Sequence, residues 1–171
     1  MNNPIVILGS SRSQGNTRDA IQLVVGQRNV PIIDLNEVNI SAYDYEHRNA
    51  GDDFAKIVQK MVLHHPVILA TPVYWYTMSA IMKTFVDRFS DWLENNKESG
   101  RQMRGKTLYI ISSYSEHPGG INGFEPIFQQ TCEYLGIKYG GCYFHYSGTD
   151  ERIAQKNKKI AKEFAAKIFG L

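Results

Sequence analysis

"ILGSSRSQGNT", residues 7–17, begins as a strand and ends as a helix start. Between the two lie Ser10, Ser11, Arg12, Ser13, Gln14, Gly15, Asn16 and Thr17. Nearly every one can donate a hydrogen bond, and none is a carboxylate. A strand that turns sharply into a helix is the opening of a β-α unit, and in open α/β sheets ligands bind at such turns, beyond the carboxyl ends of the strands. Free N–H groups and the positive end of the helix dipole favour an anion there. Ser10, Ser13, Asn16 and Thr17 add side-chain donors, Arg12 adds a charged fork, and Gly15 admits close backbone approach. A phosphate cradle fits the stretch, and so does an ordinary polar turn capped by Asn16 or Thr17. The stretch lacks the GK[ST] end of a P-loop and the spacing of a GxGxxG fingerprint, so a monophosphate suits it better than a triphosphate.

Read outward, the same alternation repeats. Strands are expected at Ile5–Leu8, Pro31–Leu35, Val67–Ala70, Thr107–Ser112 and Tyr139–Tyr146. Helices are expected at Asn16–Gly26, Asp53–Leu63, Ser79–Leu93, Asn122–Leu135 and Asp150–Phe169. The third of these would place Ile81, Met82, Phe85, Val86, Phe89 and Trp92 along one side. The strands are short continuous apolar runs, as expected when helices cover both faces. Five β-α units predict a parallel sheet wrapped by helices, with residues 1–171 as a single domain.

A second loop at the same sheet edge reads "ATPVYWYTMSAIMKTFVDRF", residues 70–89. Pro72 disfavours the helical region at Thr71 and stiffens the strand exit. Tyr74, Trp75 and Tyr76 follow at once. Aromatic side chains at a sheet edge suit a flat conjugated ligand, and equally a neighbouring helix or a partner subunit. A third loop, "SSYSEHPGGINGF" (112–124), brings Ser112, Ser113 and Tyr114 as donors, with Gly119 and Gly120 where the backbone can bend close.

Together, GSSRSQGNT and TPVYWYTMSAIMKTFVDRF resemble the NAD(P)H-dependent FMN reductase family of flavodoxin-like flavoproteins. The likeness runs from about Ile5 to Tyr146. It implies a flavodoxin-like three-layer α/β sandwich with five parallel strands in order 2-1-3-4-5. It also implies non-covalently bound FMN and hydride supplied by NAD(P)H. By position, Ser10, Arg12, Gly15, Asn16 and Thr17 would hold the FMN phosphate. Pro72, Val73, Tyr74 and Trp75 would line the isoalloxazine, and the loop from Ser112 to Gly120 (Ser112, Ser113, Tyr114, Gly119, Gly120) would close its other side. One branch of the family carries an iron–sulfur cluster between the second and third strands. Here that region, "NISAYDYEHRNAGDD", has no cysteine, which excludes such a cluster there. Tyr43, Tyr45 and His47 stand in its place, as a lid or as a solvated loop.

Flavin chemistry needs position and electrostatics rather than an acid–base dyad. The sequence shows no hydrolase triad and no GxSxG, so no catalytic side chain and no metal ligand is assigned. Of the histidines, His117 is the one whose loop should border the flavin. The expected acceptor is a small molecule: a quinone, a nitro or azo compound, or free flavin. The alternatives are a flavodoxin-like electron carrier without nicotinamide turnover and a relative that has lost its flavin. Carriers are usually strongly acidic, whereas 19 basic against 17 acidic residues give this chain a net charge of +2. That balance also argues against nucleic acid and anionic membranes as partners. No apolar run approaches ~20 residues, and the N-terminal stretch reads as a strand rather than a signal peptide. Cys132 and Cys142 have no metal spacing and point to free thiols in a reducing, cytoplasmic setting. The aromatic excess of Trp75, Tyr76, Phe89, Trp92 and Leu93 predicts a homo-oligomer, dimer or tetramer, with helix three at its interface.

Overall fold

A computed structural model describes residues 3–115 and 121–171. Its elements follow the chain as β1 (Ile5–Leu8), α1 (Asn16–Val25), β2 (Ile32–Asp34), α2 (Phe54–Leu63), β3 (Val67–Tyr74), β4 (Thr77–Met78), α3 (Ala80–Asp87), a 3₁₀ segment (Arg88–Trp92), α4 (Lys97–Met103), β5 (Thr107–Tyr114), α5 (Phe124–Leu135), β6 (Lys138–Tyr146) and α6 (Glu151–Phe169). The parallel strands lie in the order β2-β1-β3-β5-β6, the flavodoxin-like arrangement, with the switch point between β1 and β3.

The sheet corrects the expected five strands to six. The extra one, β4, pairs antiparallel with the end of β3, Val73 opposite Met78 and Tyr74 opposite Thr77. Accordingly β3 runs on through Pro72 to Tyr74 instead of stopping at Ala70. Pro72 is tolerated because it lies beyond the last β1–β3 pair, Leu8 with Ala70, where the lost N–H is not needed by β1.

Alternation along the strands builds two cores. Ile5 and Ile7 face α2, α3 and α5 with Val67, Leu69, Leu108 and Ile110. Val6 and Leu8 face α1 and α6 with Ile68, Ala70, Ile111 and Tyr143. Every residue of β1 is therefore buried, which is why its sequence is unbroken apolar rather than alternating.

Helix three differs from its single expected span. It is regular only to Asp87, tightens into 3₁₀ through Trp92, and is followed by α4, which sequence periodicity did not reveal. The tightening turns Arg88 inward. Arg88 is 2% exposed; its Nε donates to Asp91 Oδ2 at 2.8 Å, and its Nη1 donates to Asp52 and to the Ser41 carbonyl. Burial disfavours the guanidinium charge, but Asp52 and Asp91 more than offset this and hold its pKa above the usual value. The guanidinium also lies 4.7 Å from the Phe54 ring centre. Phe89 and Trp92, expected at a subunit interface, are core residues instead, stacked with ring centres 4.1 Å apart.

The 41–47 loop is tied to the segment that follows the 3₁₀ turn. Tyr43 donates to Glu94 Oε2 at 3.0 Å, and His47 Nε2 sits 3.2 Å from the same carboxylate. Lys83 pairs with Asp87 on the exposed side of α3. Cys132 and Cys142 are free thiols, both pushed to higher pKa by burial. Among the described residues, no helix is long and apolar enough to cross a membrane.

Replacing Arg88 by Met strands Asp52 and Asp91 as buried carboxylates without their cation. Loss of one partner from such a cluster costs about 3–5 kcal/mol, so Arg88→Met should unfold at clearly lower urea concentration than the parent.

Candidate functional site

The carboxyl ends of β1, β3 and β5 are tied together by buried hydroxyls. Ser79 caps α3 by accepting from the Met82 N–H at 3.2 Å, and its hydroxyl donates to the Gly9 carbonyl at 2.7 Å. Its own N–H donates to Thr71 Oγ1 at 3.0 Å. Ser112 in turn donates to the Thr71 carbonyl at 2.7 Å. Gly9 is glycine for a steric reason: a Cβ there would stand 2.8 Å from Met82 Cβ and 3.0 Å from Met82 Cα, so α3 could not seat against the turn. Asn36 donates to the Ser10 carbonyl, anchoring the turn on its β2 side.

Against this frame the 9–17 turn leads into α1. The helix begins at Asn16 with Gly15 before it, and no side chain caps the first turn. The alternative of Asn16 or Thr17 as a cap is thus excluded, and the first N–H groups stay open to a ligand. Arg12 folds back over Gly15, its guanidinium within about 4 Å of where a Gly15 Cβ would stand. Thr17 Oγ1 and Ser113 Oγ lie 2.7 Å apart. Whichever donates, the other keeps a hydroxyl hydrogen to offer.

Two adjoining clefts result. The smaller, about 140 Å³, is lined by Ser10, Arg12, Gly15, Asn16, Thr17 and Ser113, among others. The larger, about 540 Å³, is lined by Val73, Tyr74, Trp75, Tyr76, Tyr114 and Ile121, with Ser115. They share Val73, Tyr74, Tyr114 and Ser115, so one trough runs from a donor-rich end to an aromatic end. Tyr114 has its pKa raised by burial and by Tyr146, so it stays a protonated donor at the junction.

Of the predicted site residues, the trough brings together Ser10, Arg12, Gly15, Asn16, Thr17, Pro72, Val73, Tyr74, Trp75, Ser113 and Tyr114. Ser112 lines neither cleft: it is fully buried and holds β3. Gly119, Gly120 and His117 lie outside the described residues. Sequence reasoning missed Ser79, Ile121 and Ser147, while Ser115 falls within the expected Ser112–Gly120 loop. Ser147 follows β6 and donates to the Tyr114 carbonyl at 2.9 Å; its place at a fourth strand end was the available signal. Among the described residues, no group of three or more His, Cys, Asp or Glu is placed to hold a metal.

A donor-lined end joined to an aromatic end thus lies at the switch point of a flavodoxin-like sheet, where open α/β folds bind their ligands. The chain belongs to the NADPH-dependent FMN reductase family, whose model matches residues 4–139, and is an oxidoreductase that uses FMN and NAD(P)H. It is similar to YwqN of Bacillus subtilis, named as an NAD(P)H-dependent FMN-containing oxidoreductase, with 30% identity over 80% of each chain. In fold it matches the Trp repressor binding protein of B. subtilis, with TM-score 0.76, 23% identity, and coverage of 94% of this chain and 96% of that one. It also matches an NADPH-quinone reductase from P. pentosaceus, with TM-score 0.69, 14% identity, and coverage of 96% and 98%. At these identities the two structural likenesses carry the fold alone.

Ser79→Ala deletes the helix cap and the bond to Gly9 together. It should lower stability by about 1–3 kcal/mol in chemical denaturation, with Ser79→Thr recovering part of the loss.

Proposed function

We propose that FMN lies along the joined clefts, its phosphate on residues 10–17 and its ring system beside Pro72–Trp75, and that the acceptor is a quinone or another small planar aromatic compound. The observation that carries this reading is the continuity of the trough, whose two ends match in chemistry the two ends of a flavin mononucleotide. Bound there, FMN would supply the hydride and electron transfer between NAD(P)H and the acceptor. The chain's own residues bind and orient. Arg12, Asn16, the open N–H groups of α1 and the Thr17–Ser113 hydroxyl pair neutralise and fix an anion. Val73 and Tyr74 form one wall of the ring end, and Tyr114 offers a phenolic donor where the two ends meet. No side chain has to gain or lose a proton for hydride transfer, in keeping with the lack of a buried acid–base pair among the described residues of the trough. The quinone reading is supported by the aromatic lining of the larger cleft.

The chain is also proposed to work as a homodimer. An apolar groove of about 450 Å³ runs between α3 with its 3₁₀ extension and α5. Leu93 and Tyr134 stand exposed on it, at 46% and 76%.

The direct test is anaerobic addition of NADPH or NADH to the yellow protein, followed by a naphthoquinone. The flavin absorbance should bleach and then return. Persistent colour refutes turnover, and bleaching without recovery refutes the quinone. For the cradle, Arg12→Ala and Asn16→Ala should each weaken FMN about 10–100-fold, since a charged hydrogen bond is worth roughly 1.5–3 kcal/mol; quenching of flavin fluorescence reads this, and unchanged affinity moves the phosphate elsewhere. For the dimer, light scattering should give twice the chain mass, and Leu93→Glu should halve it.

A further inference from the structure

The turn that joins β3 to β4 is built against its own sequence. Tyr74 pairs with Thr77, so the hairpin loop is the two residues Trp75 and Tyr76. Both have positive φ, 49° and 68°. Two left-handed residues in a two-residue hairpin loop are the type I′ pattern, which strongly prefers Asn-Gly. Bulky side chains reach that region only against steric resistance, and such outliers concentrate at functional sites. Folding does not explain the choice either. Trp75 is 91% exposed and Tyr76 65%, so neither ring is recruited by the core. What the two rings share is the larger cleft, where they stand with Val73, Tyr114 and Ile121.

We propose that Trp75 and Tyr76 are the specificity-determining residues for the electron acceptor: the strained turn holds an indole and a phenol at the cleft mouth to receive planar aromatic acceptors. The inference rests on the proposed reading of the joined clefts as the flavin and acceptor site. Tight-turn geometry fixes the two side chains relative to the sheet edge, because the β3–β4 pairs on either side set the hairpin register. Ring faces held this way contact a flat molecule at low cost in side-chain entropy, whereas a compact inorganic oxidant gains nothing from them.

The test replaces the pair by the residues the turn prefers, Trp75→Asn with Tyr76→Gly, in the full chain. Three readouts are compared with the parent: the melting temperature of the flavin-stripped protein, the ratio of kcat/KM for a naphthoquinone to that for ferricyanide, and the mass in solution. The expected result is a melting temperature about 3–6 °C higher, a quinone-to-ferricyanide ratio at least tenfold lower, and an unchanged mass. Trp75→Phe with Tyr76→Phe keeps both rings and should hold the ratio within threefold of the parent. A ratio equal to the parent's in the Asn-Gly variant overturns the proposal. So does a halved mass, which would assign the rings to a second copy of the chain. An unchanged or lower melting temperature overturns the claim of strain. A parent that reduces ferricyanide but no quinone overturns the acceptor reading itself, before any variant is made.

Discussion

The hydroxyl of Ser79 is the smallest part of this protein on which the most depends. It caps α3, donates to the last carbonyl before the donor-rich turn, and brings its own N–H to Thr71. Through it the end of β1 is tied to β3, and the Ser112 bond to the Thr71 carbonyl adds the end of β5. Without such ties, each strand end would lead into a loop free to choose its own path, and no anion could find Arg12, Asn16 and Ser113 in place together. Preorganisation of this kind lets binding energy go into holding the cofactor rather than into ordering the loops.

The same economy shows on the other side of α3. Arg88 is a charged residue in a place suited to an apolar one, yet it joins three segments at once: the 41–52 loop, the 3₁₀ turn and the Phe54 ring. A buried ion pair adds little net stability compared with good apolar packing, but it is directional. It holds the long connection between β2 and α2 in one path, with Tyr43 and His47 bound to Glu94 rather than over the cleft.

The contrast with Trp75 and Tyr76 is instructive. At several places local preference and tertiary packing agree: Ser79 is a good cap, Gly136 closes α5 in the left-handed conformation, and β1 is uniformly apolar because both its faces are covered. At this hairpin two large rings occupy backbone conformations they disfavour while remaining in solvent. Disagreement of this kind between levels of structure is expected where function outweighs folding.

What the sequence determined by itself was whatever is local. The β-α alternation, the parallel class of the sheet and the donor-rich, acid-free chemistry of residues 10–17 all follow from periodicity and composition in short windows. The two motif loops could be paired because strand ends in such folds share one edge. Tertiary structure decided what depends on distant partners. Trp92 and Phe89 read as interface aromatics because one helix face seemed unable to bury them, but in the fold they stack on each other in the core beside Phe54 and Phe85. Ser112 reads as a ligand donor, yet its hydroxyl is spent on Thr71, forty-one residues away. Thr17 and Ser113, ninety-six residues apart, become one hydrogen-bonded pair only when β5 lies beside the start of α1. A hydroxyl's role is set by what it can reach within about 3 Å, and that distance is a property of the fold, not of the window of sequence in which the residue sits.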